Sequence, residues 1–278
     1  MGLLILLLCV LFCACDAADK NNAEGKKGEK DFPFQDGETL VLKDHMLQGN
    51  LAEISLYTRE NDQQVTVTIP MIADTCFSSV EMDQSLWSFG DSEIVSTYCS
   101  MEEEYGGYYI YLLIIGMTYP TVECTMTSLP LLIDGQHAAY EFGTFCVQNY
   151  GKTFYSSGGE EDFYYRDNVF EVPDSTLNTV PFFNMVAEKR TEIKSICISS
   201  KELSVSEEKM EDVLGIHEAG EEFPVEMQLE NTRDPRYYCF ETVVEYLSAS
   251  GEEVAIPSMC TTRSAPKLVA EAIVDKIK

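Results

Sequence analysis

The chain has 278 residues, of which 47 are acidic and 19 basic, for a formal charge of -28, and 45% are hydrophobic. Such acidity is repelled by nucleic acid and by anionic membrane, which excludes both as ordinary partners, and it attracts cations or basic proteins. The length allows one large domain or two ordinary ones.

Residues 1–17, MGLLILLLCVLFCACDA, form an apolar run followed by small residues. This pattern predicts a secretory signal peptide cleaved after Ala17. The run from Leu3 to Phe12 is too short for a spanning helix, and no later stretch offers about 18 consecutive apolar residues. The expectation is a secreted, extracellular protein with no membrane span. Residues 18–33, ADKNNAEGKKGEKDFP, are polar and lysine-rich and read as a disordered N-terminal segment. No N-x-[ST] sequon occurs.

From residue 38 the pattern turns to strands. Leu40 and Leu42 alternate with Val41 and Lys43, and Ile54 and Leu56 flank Ser55. In QQVTVTIP, Val65, Val67 and Ile69 share one face and Thr66 and Thr68 the other, the period of two of a half-buried strand. YYIYLLIIGM, between Gly106-Gly107 and Gly116, reads as a central sandwich strand. SLPLLIDGQ ends in an Asp134-Gly135 turn, and EDFYYRDNVFEV alternates again before Pro173. SEEKMEDVLGI predicts a short helix with Ser206 as N-cap. In SAPKLVAEAIVDKIK, Ser264 and Pro266 suit a helix start, and Val269, Ile273 and Ile277 fall on one side, so residues 264–278 are expected to dock as a helix over the domain.

Seven cysteines follow the leader. Cys76 and Cys99 are 23 positions apart, Cys124 and Cys146 22, and Cys239 and Cys260 21, which suggests three disulfides. An oxidising compartment makes bridges the default, since no C-x-x-C pair points to zinc or redox chemistry. Cys197 is left as a free thiol or as the link of a disulfide-bonded dimer; monomer and dimer are both open.

Catalytic patterns are missing. TVTIPMIADTCFSSV carries Asp74-Thr75, but Cys76 stands where an aspartic peptidase needs glycine, and no second such motif follows. The three histidines, His45, His137 and His217, are dispersed, and no H-E-x-x-H, G-x-S-x-G, Walker or GxGxxG pattern exists. The expectation is therefore a protein that is not an enzyme and needs no cofactor. Calcium stays a candidate for the acidic runs Glu102-Glu103-Glu104, Glu160-Glu161-Asp162 and Glu218 to Glu222, although none has EF-hand spacing. Tyrosines gather near glycine-rich turns, and tyrosine brings large contact area at little entropic loss. Tyr105, Tyr108, Tyr109, Tyr155, Tyr164 and Tyr165 are thus the candidate ligand-binding residues.

The stretch from Cys124 through Asp134-Gly135 and Gly143-x-Phe145-Cys146 to Ser156-Ser157-Gly158, with Leu129 and Leu131 between, resembles a CUB domain. That resemblance implies an extracellular jelly-roll sandwich with consecutive cysteine pairs. Thr127 stands where calcium-binding CUB domains carry an Asp, so their calcium site is not carried over, though Asp162 or Asp167 remain candidates. The combined expectation is an all-β, mainly antiparallel protein: a CUB-like sandwich over 34–172, then a second, smaller β-rich unit over 180–263 with short helices. Its expected role is recognition of an extracellular protein or carbohydrate. The alternatives are an acidic calcium-binding matrix component and a carrier of a small apolar ligand.

Overall fold

The fold is described from a computed structural model for residues 40–59, 63–152, 154, 162–167, 182–206, 210–227, 229–230, 235–262 and 265–278. It is all-β, as the alternation predicts, with one α-helix among the described residues. The N-terminal half supplies β1 (Val41–Lys43), β2 (Met46–Gln48), β3 (Ala52–Tyr57), β4 (Gln64–Ala73), β5 (Val80–Met82), β6 (Ile94–Tyr105), β7 (Tyr108–Thr118), β8 (Cys124–Ile133) and β9 (Gln136–Gln148). Then come β10 (Phe163–Asp167), β11 (Phe182–Ala187), β12 (Thr191–Ile198), β13 (Ser204–Val205), β14 (Gly215–His217) and β15 (Glu222–Glu226). The chain ends with β16 (Leu229–Glu230), β17 (Tyr237–Leu247), β18 (Glu253–Thr262) and helix α1 (Pro266–Ile277).

A five-stranded sheet has the order β1-β2-β4-β7-β6. A larger sheet has the order β14-β12-β17-β3-β9-β8-β5, with β18 on the other side of β17. Two small sheets, β10-β11-β15 and β13-β16, complete the C-terminal half. Pairings are antiparallel except that β3 runs parallel to both β9 and β17. The two large sheets share one core: Val65, Val67, Ile69 and Met71 of β4 and Leu113 and Ile115 of β7 join Ile54, Leu56, Leu129, Leu131, Phe145 and Val147. Asp134-Gly135 turns β8 into β9 with positive φ at both residues, the form that matches strand twist.

The period of two in β4 holds only for its first half. From Ile69 to Ala73 every residue is buried, because α1 covers the outer face there with Val269, Ala270, Ile273 and Val274. The docking also uses Gly106: a Cβ there would lie 2.0 Å from Lys278 Nζ and 2.9 Å from Val274 Cγ1.

Of the predicted helix from Ser206, residues 207–209 lie outside the described residues and Met210 is in a 3₁₀ turn. Residues 210–214 make a single turn, with Leu214 N–H donating to Met210 O at 3.0 Å, and the chain then enters β14 at Gly215. Eleven residues with an internal glycine cannot offset helix nucleation without a long apolar stripe to bury. The 172–180 boundary lies outside the described residues, and the sheet crosses it. Among the described residues there are two large cores, the second drawn from residues 185–254, and a small third cluster of Tyr57, Val243 and Ala255. However, β17 serves both large cores: Tyr237 and Cys239 face the first core, while Tyr238, Phe240 and Val244 face the second. The halves are therefore interlocked.

The joint is a fork. Along one edge, β17 pairs with β3 over Tyr237–Phe240 and with β12 over Thr242–Leu247. At Glu241 neither strand is in register; Ser199 N–H still donates to Glu241 O at 2.9 Å, and side chains supply the remaining bonds. Ser199 Oγ donates to Ser55 O and accepts from Glu241 N at 2.8 Å. The Glu241 carboxylate, fully buried, accepts from Tyr57 N, Arg59 Nη2 and Tyr119 Oη, each at 2.6 Å. Burial pushes this carboxyl upward and Arg59 pulls it back; three donors suit the ionised form. The Arg59 guanidinium lies 5.0 Å from the Tyr119 ring centre and 5.1 Å from that of Phe154. Gly143, with φ +128°, lets β3 approach β9, since a Cβ there would sit 2.1 Å from Ala52 O.

Removing one member of a buried pair strands the other. Arg59→Met should lower unfolding free energy by about 3–5 kcal/mol, and adding Glu241→Gln should recover part of that loss. Urea titration of the two single variants and the double variant checks it; strictly additive losses would contradict the coupling.

Candidate binding surface

The six predicted tyrosines do not converge. Tyr105, Tyr108 and Tyr109 sit at the β6–β7 tip, Tyr164 and Tyr165 pair with Val186 and Met185 in the small β10 sheet, and Tyr155 lies outside the described residues. Tyr105 is engaged by α1: its hydroxyl donates to the Asp275 carboxylate at 3.0 Å, and Lys278 Nζ lies 5.7 Å from its ring centre. Tyr108 and Tyr109 are half-buried against the first core. The tip is thus a clasp for the helix.

The acidic runs are dispersed too. Glu102 accepts from Ser100 Oγ, Glu103 pairs with Lys267 at 2.9 Å, and Asp162 faces Lys189 at 3.4 Å. Glu218 meets Arg190 at 3.1 Å, and Glu221 meets His217 at 3.1 Å. Among the described residues, no group of three or more His, Cys, Asp or Glu is arranged to hold a metal ion. The side chain of Asp167 and residues Glu160 and Glu161 lie outside the described set.

Cys76, Cys99, Cys124, Cys146 and Cys197 are free thiols in this structure, so the Cys76–Cys99 and Cys124–Cys146 bridges expected from spacing are not formed. Cys124 is paired with Val147, and Cys146 with Thr125, which puts the two cysteines on opposite faces of the hairpin. Cys76 follows β4 while Cys99 lies within β6, and both sit near Tyr111 of β7 without being joined. Burial pushes the Cys99 thiol up to about 12 and the Cys124 thiol to about 11, so neither is a ready nucleophile. Cys239 is buried in the first core; the β17–β18 register places Cys260 across from Glu241 and Cys239 across from Thr262. Cys197, half-buried, lies 3.8 Å from Ser195 Oγ.

What the structure leaves open is the outer edge of the five-stranded sheet. Among the described residues, β6 pairs only with β7, so its other row of backbone groups forms no ladder, although β5 passes close to it. Register shifts after Ile94 and after Met101 bracket a regular run, Ser96–Met101. Val95 is 51%, Tyr98 63% and Met101 49% exposed, a density of open apolar area that edge strands normally avoid with Lys or Pro, neither of which occurs between residues 94 and 105. Pairing with Ile114 sets Tyr98 on the outer face, and pairing with Tyr111 sets Met101 on the inner one.

Beside this edge, the 3₁₀ turn Gln84–Leu86 touches β6 through Gln84 Nε2 and Thr97 Oγ1 at 3.2 Å. On its far side lies a shallow groove of about 480 Å³ lined by Leu86, Met126, Ser128, Pro130, His137 and Ala139. The nearly buried Asp83 accepts from Ser85 Oγ at 2.6 Å and lies 2.8 Å from His137 Nδ1; the Ser85 hydroxyl and then His137 hold its carboxyl below the usual range. An Asp–His pair orients an imidazole, but no hydrogen bond joins His137 to Ser128 or Ser88 among the described residues, so a nucleophile is not assembled. Edge, turn and groove make one continuous, largely apolar surface.

No protein-family profile matches the chain, and no curated protein matches it. The solved structures that match include a Pseudomonas aeruginosa CupB2 chaperone, 7% identical over 74% of this chain and 97% of that one, at a TM-score of 0.18. A likeness that weak carries no argument about fold or function.

The helix clasp carries a titration. Glu271 on α1 lies beside Glu103 on β6, with Lys267 against both; burial and then the neighbouring Glu103 push the Glu271 carboxyl up to about 7, while Glu103 itself is held low. A raised acid in the folded state favours folding while protonated, and that contribution is lost as pH rises through about 7. Glu271→Gln should therefore raise Tm relative to the parent at pH 8 and converge with it near pH 4, as scanning calorimetry at both pH values would show; a constant gap would contradict the raised Glu271 carboxyl.

Proposed function

We propose that this is a secreted, non-catalytic binding protein that recognises another extracellular protein through the surface formed by β6, the turn at Gln84–Leu86 and the adjoining groove. The observation that carries this reading is the exposed apolar area along the unpaired edge of β6, at Val95, Tyr98 and Met101. Open apolar area and free amides favour a polypeptide over a carbohydrate, whose hydroxyls leave such area unsatisfied. The leader at residues 1–17 supports secretion. Kinship with CUB domains is offered on the residues between Cys124 and Gly158 alone.

A photo-cross-linking amino acid at position 98, with one at the exposed Ile216 of β14, at the opposite edge of the large sheet from β5, as control, tests this reading in the extracellular fluid into which the protein is secreted. A defined polypeptide adduct from position 98 and none from 216 is expected. Equal labelling from both positions, or adducts to glycan alone, would contradict it.

A further inference from the structure

We infer that β6 takes an additional strand, an extended segment of a partner with six to eight uncharged residues flanked by Lys or Arg at both ends. This rests on the reading of β6 as a binding surface and names what fits it. The unpaired amides and carbonyls of a sheet edge are satisfied by an extended chain, and the alternate side chains of that chain are what the edge selects. Between Ile94 and Met101 the strand has no charged residue, so the matching part of the partner is uncharged, with β-branched or aromatic groups against Tyr98 on one face and Met101 and Thr97 on the other.

The charges lie at the ends. Glu93 precedes the strand and is exposed; Glu102 and Glu104, both exposed, follow the regular run. Glu103, between them, is turned to Lys267 and Glu271 and is occupied by the helix. Two acidic ends set about the length of the regular run apart, on a chain of formal charge -28, select basic residues at both ends of the incoming strand. A second copy of the chain would bring the same net charge to the contact, which disfavours it. The register shifts at both ends bend the strand away beyond the regular run and limit the paired length to it.

Three synthetic peptides of about ten residues test the inference against the full mature protein by fluorescence anisotropy at low ionic strength. One alternates Val and Thr with Lys at both ends, the second replaces the terminal Lys with Glu, and the third is the Lys-ended peptide N-methylated at alternate amides. The Lys-ended peptide should bind, the Glu-ended one at least about tenfold more weakly, and the N-methylated one not at all. Tyr98→Lys should remove binding with Tm unchanged, since the side chain is mostly exposed. Equal binding of all three peptides, or binding unaffected by Tyr98→Lys, would overturn the inference. So would self-association in sedimentation runs that Tyr98→Lys disperses, which would assign the edge to a second copy. If the peptides fail while position 98 still cross-links a polypeptide, strand addition is wrong and the binding surface stands; if both fail, the binding reading falls with it.

Discussion

A single buried carboxylate governs the arrangement of this protein. Glu241 sits where β3 leaves β17 and β12 takes over, a point at which a continuous ladder would leave the Tyr57 amide unpaired. Its carboxylate accepts that amide and also draws Arg59 and Tyr119 inward, while Ser199 bridges Ser55 and the Glu241 amide. A carboxylate this deep destabilises unless it is matched, and here that of Glu241 accepts from Tyr57 and Arg59, about 180 positions away in sequence. That is why the C-terminal half, whose own core is small, folds against the N-terminal half and shares a strand with it.

The position of the open edge follows from this joint. With β17 filling the middle of the large sheet, β3, β9 and β8 have partners on both sides, and β12 and β18 lie beyond. The five-stranded sheet gains no such reinforcement. Helix α1 covers its outer face at the β6–β7 tip, through Tyr105, Gly106 and the Glu103–Lys267–Glu271 group, but stops short of Tyr98. The covered end of β6 holds the helix, and the uncovered stretch is where we propose that a partner fits. Of the candidate tyrosines, Tyr105 lies at the covered end, bonded to Asp275.

Much of the fold was legible where a local period decides it. The alternation in β4, the apolar run of β7, the Asp134-Gly135 turn and the apolar side of α1 all follow from side chains within one element. The fork was not, because β3 is six residues long and its period suits any neighbour, antiparallel or parallel. Glu241 was visible as the first of two acids inside YYCFETVVEYL, and a charged residue in a run buried on both faces implies a partner even when the partner is hidden. The Cys124–Cys146 spacing does not match the hairpin register, for a reason that parity exposes. A two-residue turn pairs an odd-numbered residue with an even-numbered one, and Cys124 and Cys146 are both even. The open edge had its own trace, twelve strand residues without Lys, Arg or Pro, which needed the sheet order before it meant anything.

The most direct test of the interlocked fold is native-state hydrogen exchange read residue by residue. Amides of β3, β9, β12 and β17 should exchange through one opening of the same free energy and the same denaturant dependence, with the Tyr57 amide among them. If β11, β12, β15 and the second core instead open at distinctly lower free energy while β3 and β9 stay protected, the halves are independent and the fork at Glu241 does not hold them together.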